Sequence, residues 1–106
     1  MSKLALVQPD TLLPQLADLF RLLGDNTRLR IVAACLQGPV AVGDIASGLE
    51  LAPTLVSHHL RLLRAARLVK SERQGKHVLY STADQHVARM LGDMLEHIAE
   101  PAGDLE

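Results

Sequence analysis

The chain has few aromatic residues, a single cysteine and no long apolar run. Of its 106 residues 48% are hydrophobic, yet Phe20 and Tyr80 are the only aromatic residues. The core must therefore be built from Leu, Val, Ile and Ala, which suits helices packed on one another. The single cysteine, Cys35, excludes an internal disulfide, and no apolar run approaches the ~20 residues that a membrane-spanning helix needs. No basic start followed by an apolar stretch is visible, so we expect a cytoplasmic protein without membrane contact.

Charged residues are unevenly spread along the chain, although the net charge is only -1. Residues 53–79 carry six basic side chains and one acidic one, whereas residues 83–106 carry six acidic side chains and one basic one. Basic residues clustered on one element commonly contact phosphate. The distribution favours a nucleic acid as a partner, although a solvated basic face with no partner would give the same pattern.

The spacing of apolar residues predicts five helices and one hairpin. The helices are expected over about residues 10–23, 27–36, 42–48, 53–66 and 83–100, and two short strands over 69–73 and 77–81. In the second helix, Leu29, Ile31, Val32 and Cys35 should turn inward. The length fits one domain, residues 1–106, with residues 1–9 and 102–106 as flexible tails. A mainly α chain with a small β-hairpin, in the order α-α-α-α-β-β-α, is typical of a winged helix-turn-helix.

The fourth predicted helix has a polar side suited to reading DNA. Val56, Leu60 and Leu63 should face the core. The polar residues on the other side are Thr54, Ser57, His58, Arg61 and Arg64. Hydroxyls and a histidine near the start, followed by arginines, suit a helix that meets base edges first and phosphates later. Arg73 and Lys76, beside the predicted hairpin turn, could reach phosphates of the flanking minor groove.

Four potential metal ligands form the pattern D-x-H-x10-H-x2-E on the last predicted helix. They are Asp84, His86, His97 and Glu100. His86 and His97 lie about 16 Å apart along a helix axis, whereas bonds from zinc to its ligands are only about 2 Å long. Two antiparallel copies of the helix would set Asp84 and His86 of one chain beside His97 and Glu100 of the other. Two imidazoles and two carboxylates favour tetrahedral zinc at the interface of a homodimer, although Asp84 alone could be only a helix N-cap.

Several segments resemble the ArsR/SmtB family of bacterial metal-sensing repressors. They are LGDNTRLRI at residues 23–31, VSHHLRLL at 56–63, ARLV at 66–69 and RQGKHVLY at 73–80. The resemblance covers roughly residues 15–100. It implies a homodimeric winged helix-turn-helix protein with Thr54, Ser57 and His58 in the major groove of DNA.

The resemblance also implies a metal site. In one subset of this family, the same four-ligand pattern on the last helix binds zinc or cobalt at the dimer interface. It therefore implies about one zinc per protomer, with cobalt or nickel as alternatives, and coupling to DNA through His97 and a backbone carbonyl near Arg67. The family's cysteine site lies on the helix before the recognition helix, where residues 42–46 contain no cysteine. Thiolate sensing is therefore not expected, and Cys35 should be a core residue.

These patterns together predict a metal-responsive transcriptional repressor. A metal-free dimer would bind double-stranded operator DNA, and zinc would release it and derepress genes for metal efflux or sequestration. We expect neither enzyme activity nor a small-molecule substrate. Three alternatives stay open: a metal-independent winged-helix regulator that responds to redox or a small molecule, a metallohydrolase, and a protein-interaction module that uses the acidic last helix. The metallohydrolase lacks support, because H-E-x-x-H is absent and four protein ligands would close the site.

Overall fold

A computed structural model describes residues 10–101 and has five helices and a small three-stranded sheet in that range. The elements are α1 Leu12–Leu23, α2 Asn26–Ala34, β1 Val40–Ala41, α3 Val42–Leu49, α4 Pro53–Ala65, β2 Val69–Gln74, β3 His77–Thr82 and α5 Gln85–Ala99. The mainly α fold with a hairpin before the last helix is confirmed. The two-residue β1 was not expected. Residues 1–9 and 102–106 lie outside the described residues, so the two flexible tails and the single-domain boundary stay predictions.

No helix within residues 10–101 combines the length and apolar character that crossing a membrane requires.

Helix α4 contributes three of the most deeply buried side chains of the core. Val56, Leu60 and Leu63 have no exposed surface, and they belong to one cluster with Ile31 of α2 and Ile45 of α3. Fully burying one such side chain stabilises a fold by about 1.5–3 kcal/mol. Because these three residues share one side of α4, the core determines which side of that helix faces outward.

The prediction for α2 was correct except at one residue. Ile31, Val32 and Cys35 are fully buried, but Leu29 keeps 38% of its surface exposed. Leu29 borders a small apolar groove between α2 and the second half of α5. It stays exposed because, in one chain, α5 leaves this groove open.

The hairpin β2–β3 forms the wing and is joined to the helix-turn-helix by β1. The sheet order is β1-β3-β2 with antiparallel pairing. Tyr80 pairs with Val40 on one side and with Ser71 on the other. Gly75 has φ +62° at the tip, a conformation that glycine adopts at little cost. Because α3 begins directly after β1, the wing is held in place relative to the helix-turn-helix.

Candidate DNA-reading surface and metal-ligand pairs

The outward side of α4 carries the polar residues that the sequence assigned to DNA. Thr54, His58, Arg61 and Arg64 are exposed, and Ser57 is half-buried. The preceding residue offers no side-chain cap. The helix nevertheless begins at its first-turn proline, because proline lacks the N–H that would otherwise need a partner there. The structure therefore brings the five predicted α4 residues to accessible positions on one element.

The wing adds two more predicted cations. Arg73 lies in β2 opposite Val78, and Lys76 lies in the turn after Gly75. Both side chains are exposed. They are thus free to contact a polyanion beside the helix-turn-helix.

The turn between α3 and α4 is held by backbone bonds and one arginine. Glu50 adopts the left-handed conformation with φ 58°, and the Leu51 N–H donates to the Ala46 carbonyl at 2.9 Å. The Arg30 Nη2 of α2 donates to the Leu49 carbonyl at 3.1 Å. These bonds satisfy the carbonyls at the end of α3 and set the direction in which α4 starts.

Helix α4 ends in a second left-handed residue, Arg67, with φ 61°. The Arg67 N–H donates to the Arg64 carbonyl and the Leu68 N–H to the Leu63 carbonyl, both at 2.9 Å. These two hydrogen bonds together form a Schellman cap, in which glycine is the favoured residue. An L-residue in that conformation costs about 1–2 kcal/mol. This conformational cost is borne at Arg67, which lies where the resemblance implies coupling between metal binding and DNA binding.

Asp84 and His86 form one candidate ligand pair at the start of α5. The Asp84 Oδ1 accepts a hydrogen bond from the Val87 N–H at 3.1 Å, so Asp84 is the N-cap. That hydrogen bond, together with the neighbouring imidazole, holds the pKa of the Asp84 carboxyl below its usual value. The His86 Nδ1 lies 3.6 Å from the same oxygen. The cap uses Oδ1, which leaves Oδ2 for a metal.

His97 and Glu100 form the second pair, at the other end of the same helix. The His97 Nδ1 lies 4.0 Å from the Glu100 Oε1, and both side chains are well exposed. Within one chain the two pairs stay apart, and residues 10–101 contain no group of three His, Cys, Asp or Glu side chains able to hold one ion. Each chain therefore presents two separate pairs of potential ligands, neither of which is a complete metal site.

An open basic groove connects the end of α4 to the start of α5. The groove has a volume of about 670 Å³, and its lining includes Arg64, Arg67, Lys70, Asp84 and His86. The sequence did not predict this arrangement, because the end of α4 and the start of α5 are separated by the whole wing. It places Arg67 beside the first ligand pair of its own chain, whereas the second pair lies at the opposite end of α5.

Helices α1 and α5 leave a large apolar surface uncovered. Its exposed members are Leu12, Leu13, Leu16, Phe20, Met94, Leu95 and Ile98. Phe20 is 52% exposed and Ile98 is 73% exposed. The apolar stripe of α5 is therefore buried at Leu91 but exposed to solvent in the last turns of the helix. Soluble monomers rarely expose apolar patches of this kind, which usually mark an interface.

Cys35 is a core residue, as predicted. Its side chain has no exposed surface, and burial raises the pKa of the thiol to about 11. The neutral thiol is thus strongly favoured near neutral pH, and a soft metal or an oxidant has no direct access to it.

Comparison with known proteins agrees with this architecture. The family model described as "Bacterial regulatory protein, arsR family" matches residues 25–71. A transcriptional repressor SmtB homolog of Synechocystis sp. is 38% identical over 89% of this chain and 74% of the relative. The HTH-type transcriptional regulator CmtR of Mycobacterium tuberculosis is 43% identical over 76% of this chain and 69% of the relative.

Solved structures show the same likeness. One is the homodimeric winged helix-turn-helix DNA-binding domain of a Mycobacterium bovis protein. It matches with a TM-score of 0.77 and 30% identity, over 88% of this chain and 86% of that one. Another is the cadmium metal-sensor CmtR of Mycobacterium tuberculosis, with a TM-score of 0.67 and 38% identity, over 81% of this chain and 95% of that one.

The chain belongs to the ArsR family of bacterial regulatory proteins. The resemblance inferred from its sequence segments is thus confirmed. It is a DNA-binding transcriptional regulator with a winged helix-turn-helix fold and not an enzyme, which removes the metallohydrolase alternative.

Proposed function

We propose that this protein is a cytoplasmic metal-responsive repressor whose metal-free homodimer binds operator DNA and is released by zinc. Release would derepress genes for metal efflux or sequestration. The observation that supports this proposal most directly is the placement of two exposed pairs of potential ligands, Asp84 with His86 and His97 with Glu100, at opposite ends of α5. Neither pair suffices for a zinc ion alone, but the two pairs are complementary.

The homodimer is supported by the bare apolar surface of α1 and α5. A second copy of the chain would cover it, and the similar Mycobacterium bovis domain is homodimeric. Packing the α5 helices antiparallel brings the start of one beside the end of the other. The four-ligand set would then form twice, related by the two-fold axis.

The donor chemistry fits zinc. Two imidazoles and two carboxylates, one from each pair in every site, match the ligands that zinc accepts in tetrahedral sites. Cobalt and nickel also accept imidazole and remain alternatives. The bound ion would supply a bond between the subunits. The residues themselves provide ready donors, since the Asp84 carboxylate is ionised near neutral pH and its Oδ2 is not used by the cap.

The outward side of α4 is the proposed DNA-reading surface. Thr54, Ser57 and His58 near its start would meet base edges in the major groove. The cations proposed to contact phosphates are Arg61, Arg64, Arg73 and Lys76. In a two-fold operator, two such helices would enter successive major grooves about 34 Å apart. Any change in the dimer that alters this separation would weaken binding.

The proposed link between metal and DNA runs from His97 to the backbone carbonyl near Arg67. Within one chain the two residues lie near opposite ends of α5, because Arg67 borders the groove that contains Asp84 and His86 at its start, whereas His97 is in its last turn. A site shared between subunits removes this difficulty, since it brings His97 of one protomer to the Asp84 end of its partner. A ligating histidine commonly donates its other N–H to a carbonyl. By linkage, zinc and operator must then weaken each other equally.

The redox alternative has no observation in its favour. Cys35 is the only cysteine, and it is fully buried with a raised thiol pKa.

The proposal is tested by following operator affinity during zinc titration of the purified dimer. We expect His97→Ala to bind operator as the unmodified protein does but to resist release by zinc. The matched control, Ser57→Ala with His58→Ala, should bind operator more weakly while keeping about one zinc per protomer. If His97→Ala leaves DNA at the same zinc concentration as the unmodified protein, the assigned site is wrong. Parallel titrations with cobalt and nickel rank the metals.

A further inference from the structure

Two leucines lie along one edge of the polar surface on the outward side of α4, adjacent to His58 around the helix axis. Leu55 and Leu62 each leave 40% of their surface exposed. Neither belongs to the core cluster, and neither lines the apolar grooves that α1 and α5 leave open. A second copy of the chain at the α1 and α5 surface therefore does not account for them.

Leu55 lies beside the residues proposed to meet bases, at the edge of the polar surface. It is in the first turn of α4, next to Thr54 and three residues before His58. At about 100° per residue, Leu55 and His58 are separated by only about 60° around the helix axis. The first turn of a recognition helix is the part that reaches base edges. Leu62 is two turns further along, about 10 Å from Leu55 along the axis.

A leucine at this position can read only one feature of the major groove. Its side chain neither donates nor accepts hydrogen bonds, so base amino and carbonyl groups give it no specific contact. Thymine is the one base that presents an apolar group there, the 5-methyl. Contact between that methyl and a leucine removes apolar surface of both from water.

We propose that Leu55 is a specificity-determining residue that selects a thymine in each operator half-site through contact with its 5-methyl group. This inference rests on the proposed use of α4 as the major-groove helix, but not on the response to metal. Because removing a methyl-sized group from such a contact weakens binding by about fourfold, loss in both half-sites should weaken the dimer by about fifteenfold.

The test replaces thymine by uracil, which deletes the methyl and keeps every hydrogen-bonding group. An operator is first selected from random duplex DNA with the metal-free dimer. Each thymine of its half-sites is then replaced in turn by deoxyuridine, symmetrically in both halves, and affinity is measured by fluorescence anisotropy. We expect one position at which the unmodified protein loses about fifteenfold in affinity and Leu55→Ala loses nothing.

Two further variants make the result specific. Leu62→Ala removes a leucine of equal exposure from the same helix, and it should keep the full uracil penalty. Leu55→Met has an apolar side chain of similar size, so this variant should retain most of the uracil penalty. Unchanged melting temperatures and circular dichroism establish that the variants are folded.

Three results would overturn the inference: half-sites selected without thymine, no loss on any uracil replacement, or an undiminished penalty in Leu55→Ala. Failure to select any operator is a separate outcome, because it would refute the proposed operator binding itself and the inference with it.

Discussion

Mixing two complementary variants tests whether the metal site is shared between subunits. One variant carries Asp84→Ala and His86→Ala, and the other carries His97→Ala and Glu100→Ala. Each variant alone forms dimers with only two-ligand half-sites. A mixed dimer contains one complete site, with the first pair from one chain and the second pair from the other, and one site with no ligand at all.

The structure sets the expected size of the effect. His86 and His97 are about 16 Å apart along α5, whereas two nitrogens bound to one zinc, each about 2 Å from it, are less than about 4 Å apart. A complete site within one chain is therefore excluded while α5 stays helical. After free exchange of equal amounts, about half of all dimers are mixed, which gives about 0.25 tightly bound zinc per protomer, against about one in the unmodified protein.

Equilibrium dialysis with radioactive zinc, or isothermal titration calorimetry, measures this number. Each variant alone is the control and should bind almost no zinc tightly. If the mixture binds no more zinc than the separate variants, although subunit exchange is verified by mass spectrometry of labelled chains, the shared site is refuted. Retention of about one zinc per protomer by either variant alone would refute the ligand assignment as well.

The remaining predictions concern stability, assembly and thiol chemistry. Arg67→Gly should raise the free energy of unfolding by about 1 kcal/mol, because glycine accepts the left-handed conformation, and unfolding by urea at fixed protein concentration would reveal no gain if the cap were absent. Ile98→Glu should raise the dimer dissociation constant on the order of 100-fold or more with helicity unchanged, as measured by analytical ultracentrifugation, since an apolar contact is lost on both subunits; an unaltered constant would place the interface elsewhere. Because its pKa is raised to about 11, the Cys35 thiol is only about one-thousandth thiolate at pH 8. Its reaction with a chromogenic disulfide should be far slower in native than in unfolded protein and should rise with pH; equal rates would show that the thiol is accessible.

Local patterns predicted most of the elements. The apolar spacing of Val56, Leu60 and Leu63 predicted α4 and its buried side, and Gly75 between two short runs predicted the wing. These features depend on neighbours within a few residues, so one-dimensional patterns contain the information. The N-cap at Asp84 was likewise predicted, as an alternative to its role as a metal ligand.

Features made by distant parts of the chain were not predicted. Strand β1 is only two residues long and exists because Tyr80 offers backbone partners from β3. Leu29 fits a helical apolar stripe but remains exposed, because it borders a groove between α2 and the second half of α5 that one chain leaves open. The left-handed conformation of Arg67 was missed because the usual signal, glycine, is absent there.

The sequence by itself determined the composition of the core, the order of helices and hairpin, the polar side of α4 and the two candidate ligand pairs on one helix. Only the tertiary structure decided that Arg67 borders the groove containing Asp84 and His86, and that the end of α5 stays bare. The physical reason is that helical and strand patterns arise from contacts between near neighbours. The meeting of α4 with α5 depends on how the whole core packs, which no local pattern specifies.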